Sequence, residues 1–138
     1  MSGRDDMIEA FPQAYFETRF RTASGTATWP ARFVIVTAWA TTGERWAAAD
    51  NETADARLAA RLHARGRLPV RITGYSPTTG HAEPGWAAEL ARDEALAIGR
   101  EFRQHAIYVI DGDDLAVQRC ADGLTEAVGG FRARFDLP

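Results

Sequence analysis

Arg32-Phe33-Val34-Ile35-Val36-Thr37-Ala38-Trp39-Ala40 is the stretch that decides how this chain is read. Phe33 to Val36 is an unbroken run of strand-forming apolar residues, and a strand with no polar alternation is one buried on both faces. The run therefore predicts a strand at the centre of a sheet.

Downstream the period changes from strand to helix. Ala54, Leu58 and Leu62 recur every four residues between Asp50 and Arg65, with Arg57, Arg61 and Arg65 beside them and Gly66 as a stop, which predicts a helix. Leu68 to Tyr75 reads as a strand, Ser76 to Gly80 as a turn, and Glu83 to Leu90 as a second strand whose Ala-rich 86–89 stretch also suits a helix. Asp93 is expected to cap a second helix running to Gln104, with Ala95, Leu96, Gly99 and Phe102 on its inner face. Ile107 to Ile110 predicts a strand, and Asp111-Gly112 starts a tight reversal into Leu115 to Cys120. Upstream, Tyr15, Glu17 and Arg19 alternate with Phe16, Thr18 and Phe20, so Ala14 to Thr22 reads as a first strand ending in a Ser24-Gly25 turn. The order is β-β-α-β-β-α-β-β. It specifies a single α+β (α/β) domain with a mixed or antiparallel sheet and two helices packed on one face. Residues 1–11 are expected to be an N-terminal extension and 12–120 the domain. Residues 121–138, with Gly129-Gly130, Arg132 and Arg134, are expected to form an extension or an added edge strand.

Composition fits that reading: 138 residues, 46% hydrophobic and 25% charged, suffice for one core and do not resemble a disordered chain. Asp5, Asp6 and Glu9 stand where a signal peptide needs apolar residues, and the apolar run from Phe33 to Ala40 is too short to span a bilayer, so a cytoplasmic protein without membrane contact is expected. Cys120 is the single cysteine, which rules out an internal disulfide or a thiolate metal cage within the chain. All 16 basic residues are arginine, whose planar fork suits carboxylates and phosphates. They are scattered among 19 acids at a net charge of −3, which predicts solvated or salt-bridged arginines and no nucleic-acid partner.

Few motifs carry chemistry. His81-Ala82-Glu83-Pro84 opens like a zinc deaminase signature but lacks the downstream Cys-x-x-Cys, so His81 reads as a turn residue. Asp111, Asp113 and Asp114 suit a hydrated turn better than a Mg²⁺ site. There is no Gly-x-Ser-x-Gly elbow or Gly-rich phosphate loop, and His63, His81 and His105 are dispersed. No catalytic residue is assigned, and neither a metal nor a cofactor is expected. The stretch from Thr37 to Asn51 leaves the buried strand carrying Trp39 and Trp46, and such loops commonly mount binding groups. The plainer reading makes Trp39 core, Trp46 surface, and Asp50 or Asn51 a helix cap.

Ala14-Tyr15 with Thr18, Phe33 to Trp39, Asn51 with Arg57-Leu58, Glu83-Pro84, Glu94-Ala95, Gly99-Arg100, Phe102, Gln104 and Ala106-Ile107 occur in an order that resembles the bacterial domain of unknown function 3293 family. The family pattern has Asn-Pro where this chain has Ala40-Thr41, and often Gly where Arg103 stands. The resemblance implies a small α/β fold and no particular activity. Thr37, Trp39, Asn51, Arg57, Glu83, Gln104 and His105 lie near predicted element ends and form the candidate ligand-binding set. The plainer alternative has Gln104 and His105 satisfying backbone groups at a helix end and Glu83 paired with an arginine. The expected function is a non-catalytic binding or regulatory interaction module presenting Trp46 and the Arg-bearing helix to a protein or small-molecule partner. The alternative is a small-molecule-binding enzyme with a polar pocket between the 37–51 loop and Glu83/Gln104. Oligomeric state is not specified by the sequence.

Overall fold

The computed structural model describes residues 13–22, 29–39, 47–64 and 69–136. Seven strands form one sheet: β1 (Arg19–Arg21), β2 (Arg32–Val36), β3 (Val70–Tyr75), β4 (Ala82–Ala88), β5 (Ala106–Asp111), β6 (Asp114–Arg119) and β7 (Thr125–Gly130). Their spatial order is β1-β3-β4-β2-β5-β6-β7, and every pairing is antiparallel. β2 is the middle strand, as its sequence predicts. Phe33 and Ile35 point into one core while Val34 and Val36 point into another. Both faces are dry, so the run has no position for a polar residue.

Two helices, α2 (Ala48–His63) and α3 (Arg92–Glu101), cover the Val34 and Val36 face. Leu58, Leu62, Ala95, Ile98 and Phe102 meet the sheet there. Leu58 and Leu62 are wholly buried, and each such side chain contributes about 2 kcal/mol by leaving water. Gly99 lets α3 sit close, since a Cβ at that position would lie 2.6 Å from Cys120 Sγ. The opposite face encloses Phe20, Ile72, Tyr108, Ile110, Leu115, Val117 and Phe131, with Trp29 and Phe135 packed against them. The sheet curls over this second core. A strap after β7, containing one 3-10 turn at Arg132–Arg134, closes the curl onto β1. Phe135 forms a parallel bridge with Phe20, and the Asp136 amide donates to the Phe20 carbonyl at 2.7 Å.

Several expectations are corrected. The predicted first strand is split: Ala14–Glu17 forms a one-turn helix, α1, and only Arg19–Arg21 is extended. Thr18 donates to the Ala14 carbonyl from both its amide, at 3.0 Å, and its hydroxyl, at 2.7 Å. Consecutive Tyr15 and Phe16 also pack against the same core, which strand alternation forbids. The order β-β-α-β-β-α-β-β thus omits α1, β7 is the added edge strand that was one expectation for residues 121–138, and the face opposite α2 and α3 is covered by α1, the curl and the strap. Helix α2 begins after Ala47, so neither Asp50 nor Asn51 is its cap. Asn51 lies inside the first turn with its side chain buried. Helix α3 is flanked by Ala91, leaving Asp93 in its first turn, where a carboxylate meets the positive end of the helix dipole. It stops at Glu101, short of Gln104. Arg103 takes the left-handed conformation at φ 58°, and the amides of Gln104 and Arg103 return to the carbonyls of Gly99 (2.8 Å) and Arg100 (3.1 Å). This is a Schellman ending, which glycine most often supplies. The 86–89 stretch is strand through Ala88. Ser24-Gly25, Trp46, Arg65, Gly66 and Leu68 lie outside the described residues.

Candidate functional site

The end of β2 gathers the largest share of the candidate residues. Val36 pairs with Trp86 of β4, and Ile35 pairs with Tyr108 of β5. Thr37 follows directly on β2, so close to Gly85 of β4 that a Cβ there would lie 2.7 Å from the Thr37 methyl. The Schellman ending of α3 delivers Gln104 to this point. Its Oε1 accepts from Thr37 Oγ1 at 2.9 Å, while its Nε2 donates to the carbonyls of Trp39 at 2.8 Å and Phe102 at 3.2 Å. Gln104 therefore staples the end of α3 to the end of β2 and satisfies backbone carbonyls, as the plainer reading expects of it.

Arg57 joins this junction from α2. Its guanidinium lies over the Phe102 ring at 5.6 Å. It is exposed, and no carboxylate among the described residues pairs with it. One turn further, Arg61 donates to Glu101 at 3.1 Å. On the buried side of α2, Asn51 is followed one turn later by Asp55, which the sequence reading missed. Asp55 accepts from Arg71 at 2.7 and 2.6 Å and from Trp86 Nε1 at 3.1 Å. Arg71 also stacks on the Trp86 ring at 4.2 Å. The available signal was position, because Asp55 interrupts the Ala54, Leu58, Leu62 stripe with a charge.

Glu83 and His105 belong elsewhere. Glu83 lies on the same face of β4 as Ala87, which is in the core under the curl. Its carboxylate lies 3.4 Å from His81 Nε2, and no arginine among the described residues pairs with it. His105 lies beside Tyr15, with ring centres 6.2 Å apart. Tyr15 in turn accepts from the Tyr108 hydroxyl through its carbonyl at 3.1 Å. Burial pushes the Tyr108 phenol well above its ordinary value. Of the seven candidates, Thr37, Trp39 and Gln104 are in direct contact and Arg57 reaches them through Phe102. Asn51 lies on the helix-covered side of the sheet and Glu83 on the other.

Cys120 follows β6 and is buried. Burial raises its thiol to about 11 against a smaller opposing effect of Arg100, so it remains a thiol and a poor nucleophile at neutral pH. Asp111 to Asp114 form the β5–β6 turn, with Asp113 Oδ1 accepting from the Arg132 amide at 2.8 Å. Among the described residues no group of three His, Cys, Asp or Glu side chains is placed to hold a metal ion, and no helix is long and apolar enough to cross a membrane.

Fold and junction together define a single α+β domain with a curled antiparallel sheet, its two long helices on one face and the short α1 on the other, and a hydrogen-bonded Thr37–Gln104–Trp39 staple at the end of its central strand. The chain belongs to the family described as Protein of unknown function (DUF3293), whose sequence profile matches residues 36–107. That span runs from the last residue of β2 into β5. Neither the curated proteins nor the solved structures compared with the chain gave a match.

Proposed function

We propose that this protein is a non-catalytic binding or interaction module of the cytoplasm, and that its partner docks on the exposed side of α2 around Arg57. The observation that carries this reading is Arg57 itself: an exposed guanidinium resting on Phe102 with no carboxylate partner among the described residues. The other candidate groups are spent internally. The Gln104 amide is held by three partners, and Asp55 is filled by Arg71 and Trp86. A surface arginine stacked on an aromatic ring keeps its donor fork available to a ligand at low ordering cost.

The test is a thermal-shift and NMR screen of the wild type against metabolites and peptides, repeated on Arg57→Ala. Binding that falls at least ten-fold in Arg57→Ala, with the ligand recovered unchanged, supports the reading. Turnover of the ligand, or binding indifferent to Arg57, overturns it. A second reading, a small-molecule enzyme with a polar pocket between the 37–51 loop and Glu83/Gln104, draws support from the contacts of Thr37 and the Trp39 carbonyl with Gln104. It requires turnover that is lost in Glu83→Gln.

A further inference from the structure

Among the described residues, Arg103 is the one residue other than glycine whose backbone stands in the left-handed region, at φ 58°. The Schellman ending of α3 requires that conformation, and glycine meets it without loss. An arginine at this position carries backbone strain with no gain to the helix end, and retained strain of this kind points to a use for the side chain. That use is not internal. Arg103 is exposed, and its guanidinium has no hydrogen-bonded partner among the described residues. Complementing the helix dipole does not account for it either, because Arg100 already stands in the last turn of α3, where it donates to the Cys120 carbonyl at 2.9 Å.

What Arg103 adds is a second cation beside Arg57. The Arg57 guanidinium lies 5.6 Å from the centre of the Phe102 ring, and Arg103 is the residue that follows Phe102. Two exposed guanidinium groups without a carboxylate partner among the described residues are thus rooted on either side of one aromatic residue. Glu101, the acid nearest in sequence, is held by Arg61 at 3.1 Å. The backbone that carries Arg103 is pinned before and after it, since the Gln104 amide donates to the Gly99 carbonyl at 2.8 Å and Gln104 Nε2 donates to the carbonyls of Phe102 and Trp39. A cation whose root is fixed in this way loses less freedom on binding. The carbonyl end of α3 opposes an anion with about half a unit of negative charge. Two guanidinium groups outweigh it, and the amides of Phe102, Arg103 and Gln104 already occupy the carbonyls of Ile98, Arg100 and Gly99. The net charge left at this end matches a doubly charged phosphate group better than a single carboxylate.

We propose that Arg57 and Arg103 form a two-arginine site at the end of α3 for a doubly charged oxyanion of the phosphate-monoester type. The proposal rests on the reading of Arg57 as the docking point and names the chemistry that it takes. Inorganic phosphate is the probe, titrated into the isotope-labelled wild type at about pH 7.5, where the dianion dominates, with ionic strength held constant by chloride and acetate as the singly charged comparison. NMR should show saturable shifts of the Arg57 and Arg103 side-chain resonances and of the Phe102 to Gln104 amides, with phosphate bound at least about ten-fold more tightly than acetate. Arg103→Gly relieves the strain and removes the cation, so it should melt no lower than the wild type while binding phosphate about ten-fold more weakly. A purely structural arginine would show neither effect. Arg103→Gln, which keeps a side chain and drops the charge, gives the same reading of affinity should glycine disturb the end of α3. Arg57→Ala should weaken phosphate to a similar degree. Phosphate that gives no saturable shift at the two arginines, acetate that binds as tightly, or Arg103 variants that bind as the wild type does overturns the proposal. If Arg57→Ala alone weakens phosphate, Arg57 stands as the docking point and the two-arginine site falls; if neither variant does, both readings fall.

Discussion

Arg103 pays for the sharp end of α3 with its backbone. A residue bearing a Cβ loses about 1 kcal/mol in the left-handed region at φ 58°, and glycine avoids that loss while adding about 0.4–1 kcal/mol of unfolded-state freedom. Arg103→Gly should therefore leave stability unchanged or raise it by up to about 1 kcal/mol, whereas β-branched Arg103→Val should lower it. Urea midpoints decide, and a clear loss in the glycine variant would mean that the arginine side chain contributes more than its backbone costs. The neighbouring Gln104 has the opposite character, since its worth lies in its side chain. Thr37→Val removes one donor of the staple and should cost about 1 kcal/mol. Gln104→Ala strands the Thr37 hydroxyl and two carbonyls and should cost about 2–3 kcal/mol. If the two variants prove equally stable, the amide is not what joins α3 to β2.

Helix α2 shows how an element is read correctly while its chemistry stays hidden. Leu58 and Leu62 at four-residue spacing announce its apolar stripe, and β2, α3 and the Asp111-Gly112 hairpin are equally plain because period and turn chemistry are local signals. Asp55 was opaque, since an acid in a helix is ordinarily exposed and its partners Arg71 and Trp86 are 16 and 31 residues away. The closure of the sheet was opaque for the same reason: Arg19 and Asp136 are 117 residues apart. Tyr15 and Phe16 imitate strand alternation, and only packing against the second core makes them a helical turn. Of the candidate site, the position of Thr37, Trp39 and Gln104 near element ends was visible, whereas their meeting at one junction and the side of the sheet taken by Glu83 depend on how distant strands are paired. Asp55→Ala should cost about 2 kcal/mol, at the low end for breaking a buried pair because the Arg71 side chain is 41% exposed. In a double-mutant cycle, Asp55→Ala with Arg71→Ala should cost less than the sum of the two single variants. Strict additivity would show that α2 is held by Leu58 and Leu62 alone.

At the scale of the whole molecule, two sets of groups bound the pH range of stability. The hydroxyl of Tyr75 and then the guanidinium of Arg19 hold Asp136 below its ordinary 3.8, and Arg119, followed by the Leu124 amide, holds Asp122 at about 2. Because these pKa values are depressed on folding, the carboxylates contribute fully above their unfolded values and lose that contribution as pH falls through the folded ones. On the alkaline side, burial raises Cys120 from 9.0 to about 11 and also raises Tyr108. A raised acid contributes fully below its unfolded value, and the contribution fades as pH climbs through the folded one. Stability should therefore be flat from about pH 5 to 8, decline in acid between about 4 and 2, and decline in base from about 9. Melting temperature by circular dichroism across pH 2–11 gives both limbs. Asp136→Asn should flatten the acid limb and Cys120→Ala the stretch between 9 and 11. Asp136→Asn is the more telling of the two, since the amide keeps an acceptor for Tyr75 while giving up the charge that Arg19 reads. An acid limb of undiminished slope in that variant would remove the Arg19–Asp136 clasp from any part in stabilising the closed sheet.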